Sequence, residues 1–364
     1  MVFLKTRSWS TMGRSGILSR SWPTLAVAII LAQCCCLDDP VDFTEPNRYR
    51  SQFELLWETF DREYIGFIFV DVDWEASYSR YSEMADTVTC RGGLVSVLTE
   101  MLSPLEDGHI YLYEPSGGYH YPCSIAYHQN YDMGVLWNNY LVEPDSFWVV
   151  DEVWGGCALG DSIPYVMFTY WDDSYYIGDL DDFLDRFPNA PAAIFDIRMN
   201  DGGDITAAKF GAREFCTDHV TGFYKIYREG PEHDDLSPPR AYKVERYYKA
   251  WERPVALLVG ERCQSTAEAF ACMMDQMPQV TIIGDTTRGQ VNELSGESMH
   301  QLGDYVYYWT PDWTIATASD TSWVQGVGVP PHIFVQATEE DFEAGVDPVL
   351  DYALQWAGEQ ARGR

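Results

Sequence analysis

The sequence predicts a mixed α+β / α/β protein: a small N-terminal helical module, a β-rich middle segment and an α/β domain with parallel strands. Three observations predict it. Apolar residues recur at three- and four-residue steps before residue 108. Aromatic and polar positions alternate from 110 to 178. Beyond 179, short apolar runs with the character of buried strands alternate with helical patterns.

Residues 1–36 read as an export signal. Lys5, Arg7, Arg14 and Arg20 come before any acid, and "TLAVAIILA", Thr24 to Ala32, is a short apolar run. It falls short of the ~20 residues of a spanning helix and has the dimensions of a signal core. "LAQCCC" follows, Leu31 to Cys36. Leu-Ala-x-Cys is similar to a bacterial lipoprotein cleavage box, with Gln33 where a small residue is usual. Cys34 is the residue that would be lipidated and would attach the chain to a membrane. Residues 37–46 are a polar linker.

The helical module spans 47–108. Phe53, Leu56, Trp57, Phe60 and Tyr64 fall on one helix face. A second helix follows "DVDW", with Tyr78 and Tyr81 inward, and "GGLVSVLTEML" gives a third. The β-rich segment spans 109–178, with strands expected in "IYLYEP", "MGVLWNNYLV", "FWVVDEVW" and "YVMFTYW" between turn residues. The α/β domain spans 179–364. Its buried strands are "AAIFDIR", "VALLVG" and "VTIIGD", and its helices run from Ile205 to Phe215 and from Thr266 to Asp275. Such alternation implies parallel strands with right-handed crossovers.

Composition excludes some partners. Aspartate and glutamate number 56 against 24 lysines and arginines, a formal charge of −32. That charge repels phosphates, so no nucleic acid partner is expected, nor an anionic membrane surface. Six cysteines lie beyond the signal region, with no zinc-ligand spacing among them. Cys263 and Cys272 read as small core residues.

Sites in parallel α/β units form where strands end and helices begin. Two junctions carry suitable residues. "DIRMNDGGD", Asp196 to Asp204, has paired glycines whose backbone N–H groups are free to turn toward an anion. "ERCQSTAEAF", Glu261 to Phe270, places Ser265 at a helix start. Ser-x-x-Glu before an apolar run is also the capping-box pattern, so Ser265 and Glu268 have a purely structural reading as well. A serine nucleophile needs a base. No lysine follows Lys249, and among seven histidines His109, in the turn "LEDGHIYL", is the best placed.

These residues together resemble the C-terminal-processing and tricorn-type serine peptidases (tail-specific proteases), His-dependent branch. "LEDGHIYL" is similar to the Asp-Gly-His motif, "DIRMNDGGD" to Asp-x-Arg-x-Asn-x-Gly-Gly, and "CQSTAEAF" to the nucleophile motif Ser-Ala-x-Glu. "IIGDTTRG" and "GVGVPPHI" match two later motifs in the right order. The resemblance implies a crotonase-like (ClpP-like) α/β catalytic domain, a polypeptide substrate and no metal or organic cofactor. It implies Ser265 as nucleophile and His109 as general base and then acid. The oxyanion hole would be the N–H groups of Thr266 and of Gly202 or Gly203. Gln290 stands where Ser-Lys members carry lysine, which selects the His branch. Gly108 stands where tricorn-type members have a serine before the histidine, and Gln325 where they have a supporting glutamate. Gln325 and Asp107 are therefore the candidate supporting residues, with Glu106 and Asp320 as further candidates to orient His109. The segment between His109 and Asp179 is too short for a full PDZ domain. The expected function is an exported serine endopeptidase of unfolded or extended polypeptides, in the bacterial cell envelope or secreted. The alternative is a weak or inactive lipoprotein on the same fold that binds peptides or apolar ligands. An acyl-CoA enzyme on a related fold would need a basic nucleotide pocket, of which this acidic chain gives little sign.

Overall fold

The computed structural model describes residues 48–115, 117–141, 148–150, 154–159, 163–172, 179–296, 298–303 and 306–362. The export signal, Cys34 and the 37–46 linker lie outside the described residues.

In chain order the first elements are α1 (Arg48–Glu63), α2 (Trp74–Ala85), α3 (Arg91–Leu102), β1 (Tyr111–Glu114) and β2 (Gly118–His120). Next come β3 (Trp148–Val150), β4 (Trp154–Leu159), β5 (Ile163–Phe168), α4 (Asp179–Leu184), β6 (Ala193–Asp196) and α5 (Ile205–Arg213). They are followed by β7 (Val220–Tyr227), β8 (Arg240–Val244), β9 (Val255–Val259), α6 (Thr266–Asp275) and β10 (Val280–Gly284). The chain closes with β11 (Met299–Leu302), β12 (Val306–Trp309), β13 (Trp313–Thr317), β14 (Ile333–Phe334), α7 (Glu339–Glu343) and α8 (Pro348–Arg362).

The three N-terminal helices form as their apolar spacing predicts. Phe53, Leu56 and Phe60 of α1 are fully buried. Trp57 stacks on Trp74 at 5.9 Å, and α2 starts where the Asp73 side chain accepts the Ala76 N–H. The module is not closed by residue 108, however. Leu112 of β1 and Leu302, Val306 and Tyr308 of β11 and β12 complete its core. These strands form an antiparallel sheet of order β11-β12-β1-β2.

The central sheet has the order β14-β10-β9-β6-β5-β4-β3. Strands β5, β6, β9, β10 and β14 run parallel, while β4 and β3 add antiparallel. Phe195 of β6 sits opposite Leu257 of β9, and Leu257 opposite Ile282 of β10. Both faces are covered, which is why these strands read as unbroken apolar runs. Phe195, Leu257 and Ile282 pack with Phe270 of α6 and Ala208 of α5. Ile194, Leu258 and Ile283 pack with Val349, Leu350 and Ala353 of α8. A third sheet, β13-β7-β8, is antiparallel.

Two sequence expectations need correcting. The 109–178 segment does not form a β unit of its own. β1 and β2 join the sheet under the helical module, and β5 pairs directly with β6 across the expected boundary at 178. Pairing of Tyr111 with Trp309, so distant in sequence, cannot be read from local alternation. "MGVLWNNYLV" is helical from Met133 to Tyr140 and not a strand. Asp132 caps it by accepting the Val135 N–H, and Val135, Leu136 and Leu141 are buried.

Cys263 and Cys272 are buried free thiols, as expected, along with Cys157 and Cys216. Cys90 is disulfide-bonded. Among the described residues no helix is long and apolar enough to cross a membrane.

Candidate active site

The site lies at the carboxyl ends of β6 and β9. The chain after β6 turns at Gly202 and Gly203, with φ of 121° and 127°. These angles favour glycine, and space forbids anything else. A Cβ on Gly203 would stand 1.9 Å from the Trp171 carbonyl oxygen, and one on Gly202 would stand 2.9 Å from Ser265 Cβ. The turn is pinned because Trp171 N–H donates to Gly202 O (2.9 Å) and Asp204 N–H to Trp171 O (2.7 Å). Trp171 is itself fully buried between Phe168 and Phe270.

After β9 the chain reaches Ser265, which has φ 56° and ψ −129°. A non-glycine residue with positive φ at a helix start is strained, by an order of about 1–3 kcal/mol. Ser265 makes no capping bond, so the capping-box reading fails. Glu268 does not turn back on its helix either. It is fully buried and accepts from the Thr287 hydroxyl, Gly289 N–H (2.7 Å) and Gln290 N–H (2.8 Å). Burial pushes its carboxyl up to about 7, against the pull of those three donors. Glu268 thus fixes the loop 287–290, which returns the favour: Gln290 O accepts the Ser265 N–H at 2.8 Å.

The same loop places the histidine. Gln290 Oε1 accepts the Gly108 N–H (2.9 Å). Asp107 is buried and its Oδ1 accepts the His109 N–H (2.9 Å). That oxygen also faces His109 Nδ1 at 3.7 Å, an ion-pair distance. Asp107 Oδ2 is held by the Tyr64 hydroxyl (3.0 Å) and Asn292 Nδ2 (2.8 Å). Tyr64 follows α1, so the helical module supports the floor of the site. Burial lowers the affinity of the His109 ring for a proton, but the Asp107 contact and the charges of Glu293, Asp107 and Glu268 outweigh it and raise its pKa.

The structure therefore brings Ser265, Gly202, Gly203 and Thr266 together, and brings Asp107 against His109. Gln325 lies one step further back. Its Oε1 accepts the N–H groups of Val291 (2.7 Å) and Asn292 (3.1 Å), so it supports the residue that holds Asp107. Glu106 is exposed, and Asp320 bonds within its own exposed turn to Thr317 and Ser322. Of the two glycines, Gly202 is buried and gives its N–H to Asn200 Oδ1 (2.9 Å). Gly203 is half-buried. Among the described residues no acceptor takes the N–H of Gly203 or of Thr266. The Thr266 hydroxyl donates to Gly203 O at 2.7 Å, tying the two donors together.

One residue escaped the sequence reading. Ser265 Oγ donates to Glu293 Oε1 at 2.9 Å, and no hydrogen bond joins Ser265 to His109 among the described residues. Glu293 sits in "QVNELSG", where nothing in residue type or spacing sets it apart from a solvent-facing acid. Its position comes from a β-bridge to Trp313, with Glu293 N–H donating to Trp313 O at 2.7 Å.

Comparison with known proteins agrees with this architecture. Residues 163–335 match the model of peptidase family S41, and residues 46–103 match that of the tricorn protease C1 domain. Among solved structures, a Parabacteroides merdae protein assigned as a peptidase superposes with a TM-score of 0.75 at 24% identity. That match covers 86% of this chain and 97% of the other. Mature CPAF gives a TM-score of 0.62 at 9% identity over 85% of this chain and 96% of its own. The photosystem II D1 C-terminal processing protease gives 0.52 at 13% identity over 79% and 93%. At such identities the structures share the fold, while the two family models speak for the sequence. Between them they take in the helical module and the parallel sheet with its Ser265 junction: residues 163–335 form a peptidase family S41 domain, residues 46–103 a tricorn C1-like module, and the chain is a serine-type peptidase.

Proposed function

We propose that the chain is an exported serine endopeptidase cutting unfolded or extended polypeptides, with Ser265 as nucleophile and His109 as a proton-transfer partner. One observation carries the reading. A strained serine at the start of α6 lies against a glycine turn, and beside it two linked backbone N–H groups, of Gly203 and Thr266, have no protein acceptor. Donors so placed stabilise the oxyanion that forms when a serine attacks a peptide carbonyl. The N-terminus of α6 adds its own favourable field.

Extended substrates suit the site because backbone pairing to a sheet edge binds peptides with little regard to sequence. Export is supported by the basic and apolar pattern of residues 1–36 and by the disulfide at Cys90, a bond that persists outside reducing compartments. Lipidation at Cys34 would hold the protein at the cell envelope, and signal cleavage alone would release it.

The test is cleavage of an unstructured protein by the mature chain beside Ser265→Ala and His109→Ala. Cleavage lost in both variants supports the assignment. A folded wild type that cuts nothing refutes it and points to a binding role on the same fold.

A further inference from the structure

The acceptor of the Ser265 hydroxyl is a carboxylate, and among the described residues no hydrogen bond joins that hydroxyl to the histidine. An ionised carboxylate only accepts hydrogen bonds, and the Oε1 of Glu293 takes the Ser265 proton at 2.9 Å. His109 Nδ1 has no hydrogen-bond partner and looks toward Asp107 at 3.7 Å. Three carboxylates, Glu293, Asp107 and Glu268, surround the imidazole with negative charge. Lys225 of β7 and Asp107 are the other charges that face Glu293. Glu293 and Ser265 are both half-buried.

We propose that Glu293 is a catalytic residue that takes the Ser265 proton, while His109 carries the proton delivered to the leaving amine. This rests on the peptidase reading above and divides its acid and base roles between two side chains. As Ser265 Oγ bonds to the substrate carbonyl carbon, its proton passes to Glu293 and the carbonyl electron pair moves onto oxygen. The N–H groups of Gly203 and Thr266 receive that oxyanion. When the carbonyl re-forms, the C–N bond breaks, and the nitrogen keeps the electron pair and takes a proton from the His109 imidazolium. In deacylation, water gives a proton to the now neutral His109 and its hydroxide adds to the acyl carbon. Collapse expels Ser265 oxygen, which recovers its proton from Glu293. Both groups end as they began.

Substrates with different leaving groups separate the two roles. A p-nitrophenyl ester expels a leaving group that needs no proton, and the corresponding p-nitroanilide does need one. The full mature chain, Glu293→Gln, Glu293→Asp and His109→Ala are compared by the acylation burst on the ester and by anilide turnover. Melting curves establish that each variant is folded. Glu293→Gln is expected to lose both reactions by about 10²–10⁴-fold, the usual weight of a general base. Glu293→Asp should restore part of each, and it also carries the test if the glutamine variant does not fold. His109→Ala should lose anilide turnover by about 10²-fold or more, and by a larger factor than it loses the ester burst. A pH profile adds a second readout: anilide kcat/KM should fall as pH rises through the elevated His109 pKa. A histidine base would make it rise there. A Glu293→Gln enzyme with a wild-type burst, beside a His109→Ala enzyme with none, would overturn the proposal and leave the peptidase standing. A wild type inert toward both substrates and toward unstructured protein would overturn the peptidase reading itself.

Discussion

The chain writes one short pattern twice, and the two copies do different things. Thr338 to Asp341 and Ser265 to Glu268 both place a hydroxyl three residues before an acid at a helix start. At α7 the pattern is a complete capping box. Thr338 has extended backbone, its Oγ1 accepts the Asp341 N–H, and Asp341 accepts the Thr338 N–H at 2.9 Å. At α6 neither bond exists. Ser265 is twisted to positive φ with its hydroxyl aimed away at Glu293, and Glu268 is buried under the loop 287–290. A cap spends its polar atoms on its own helix. The α6 copy leaves that helix uncapped and turns the same atoms to partners elsewhere, at a cost in backbone strain.

The contrast makes predictions that descend in size. Ser265→Ala should lower peptidase activity by about a millionfold, as loss of a serine nucleophile does, and lower the melting temperature only by what the single Ser265–Glu293 hydrogen bond contributes, since no capping bond is lost. Proteolysis assays beside calorimetry check both halves. Glu268→Ala removes the shared acceptor of three donors and should cost about 3 kcal/mol or more, at ~1–3 kcal/mol for each buried group left unsatisfied. Urea unfolding measures it. Gln290→Ala frees the Gly108 N–H and should cost about 1 kcal/mol of stability, with kcat/KM falling more than stability does because His109 loses its tether. Thr338→Ala should cost about 1 kcal/mol or less and leave turnover at the wild-type value; altered turnover would mean the two helix starts are coupled.

A pH experiment sharpens the same comparison. The folded-state pKa of Glu268 is raised from 4.5 to about 7. The folded state therefore binds the proton more tightly than the unfolded chain does. Stability from this group is present below the unfolded value and is lost as pH rises through about 7. Glu268→Gln should flatten that part of the melting-temperature profile relative to wild type. Identical slopes in the two proteins would place the titration elsewhere.

How far the sequence spoke follows from how local each signal is. β6, β9 and β10 were legible because strands buried on both faces carry continuous apolar runs, and α1 because Phe53, Leu56 and Phe60 repeat with the helix. The positions of Ser265, His109 and the glycine pair were legible through motif order. Other facts were not. The strand expected over Met133 to Tyr140 is helical, since one capping aspartate and the burial of Leu136 outweigh an aromatic alternation. The choice of Gly203 over Gly202 depends on which N–H Asn200 occupies. Glu293 reaches Ser265 only because a bridge to Trp313 turns it inward, and no local rule encodes that.

The turn that carries His109 is held by residues far along the chain. Gly108 is 182 positions from Gln290, and Asp107 is 185 from Asn292. At ribosomal speeds of about 5–20 residues per second, the histidine is made roughly 10–40 s before its supports. Through that interval the growing polypeptide holds His109 over Tyr64 and Asp107 but without the loop that tethers its turn, and for most of it without Ser265. The site is therefore complete only after Gln290 and Asn292 have been made, late in synthesis of the chain.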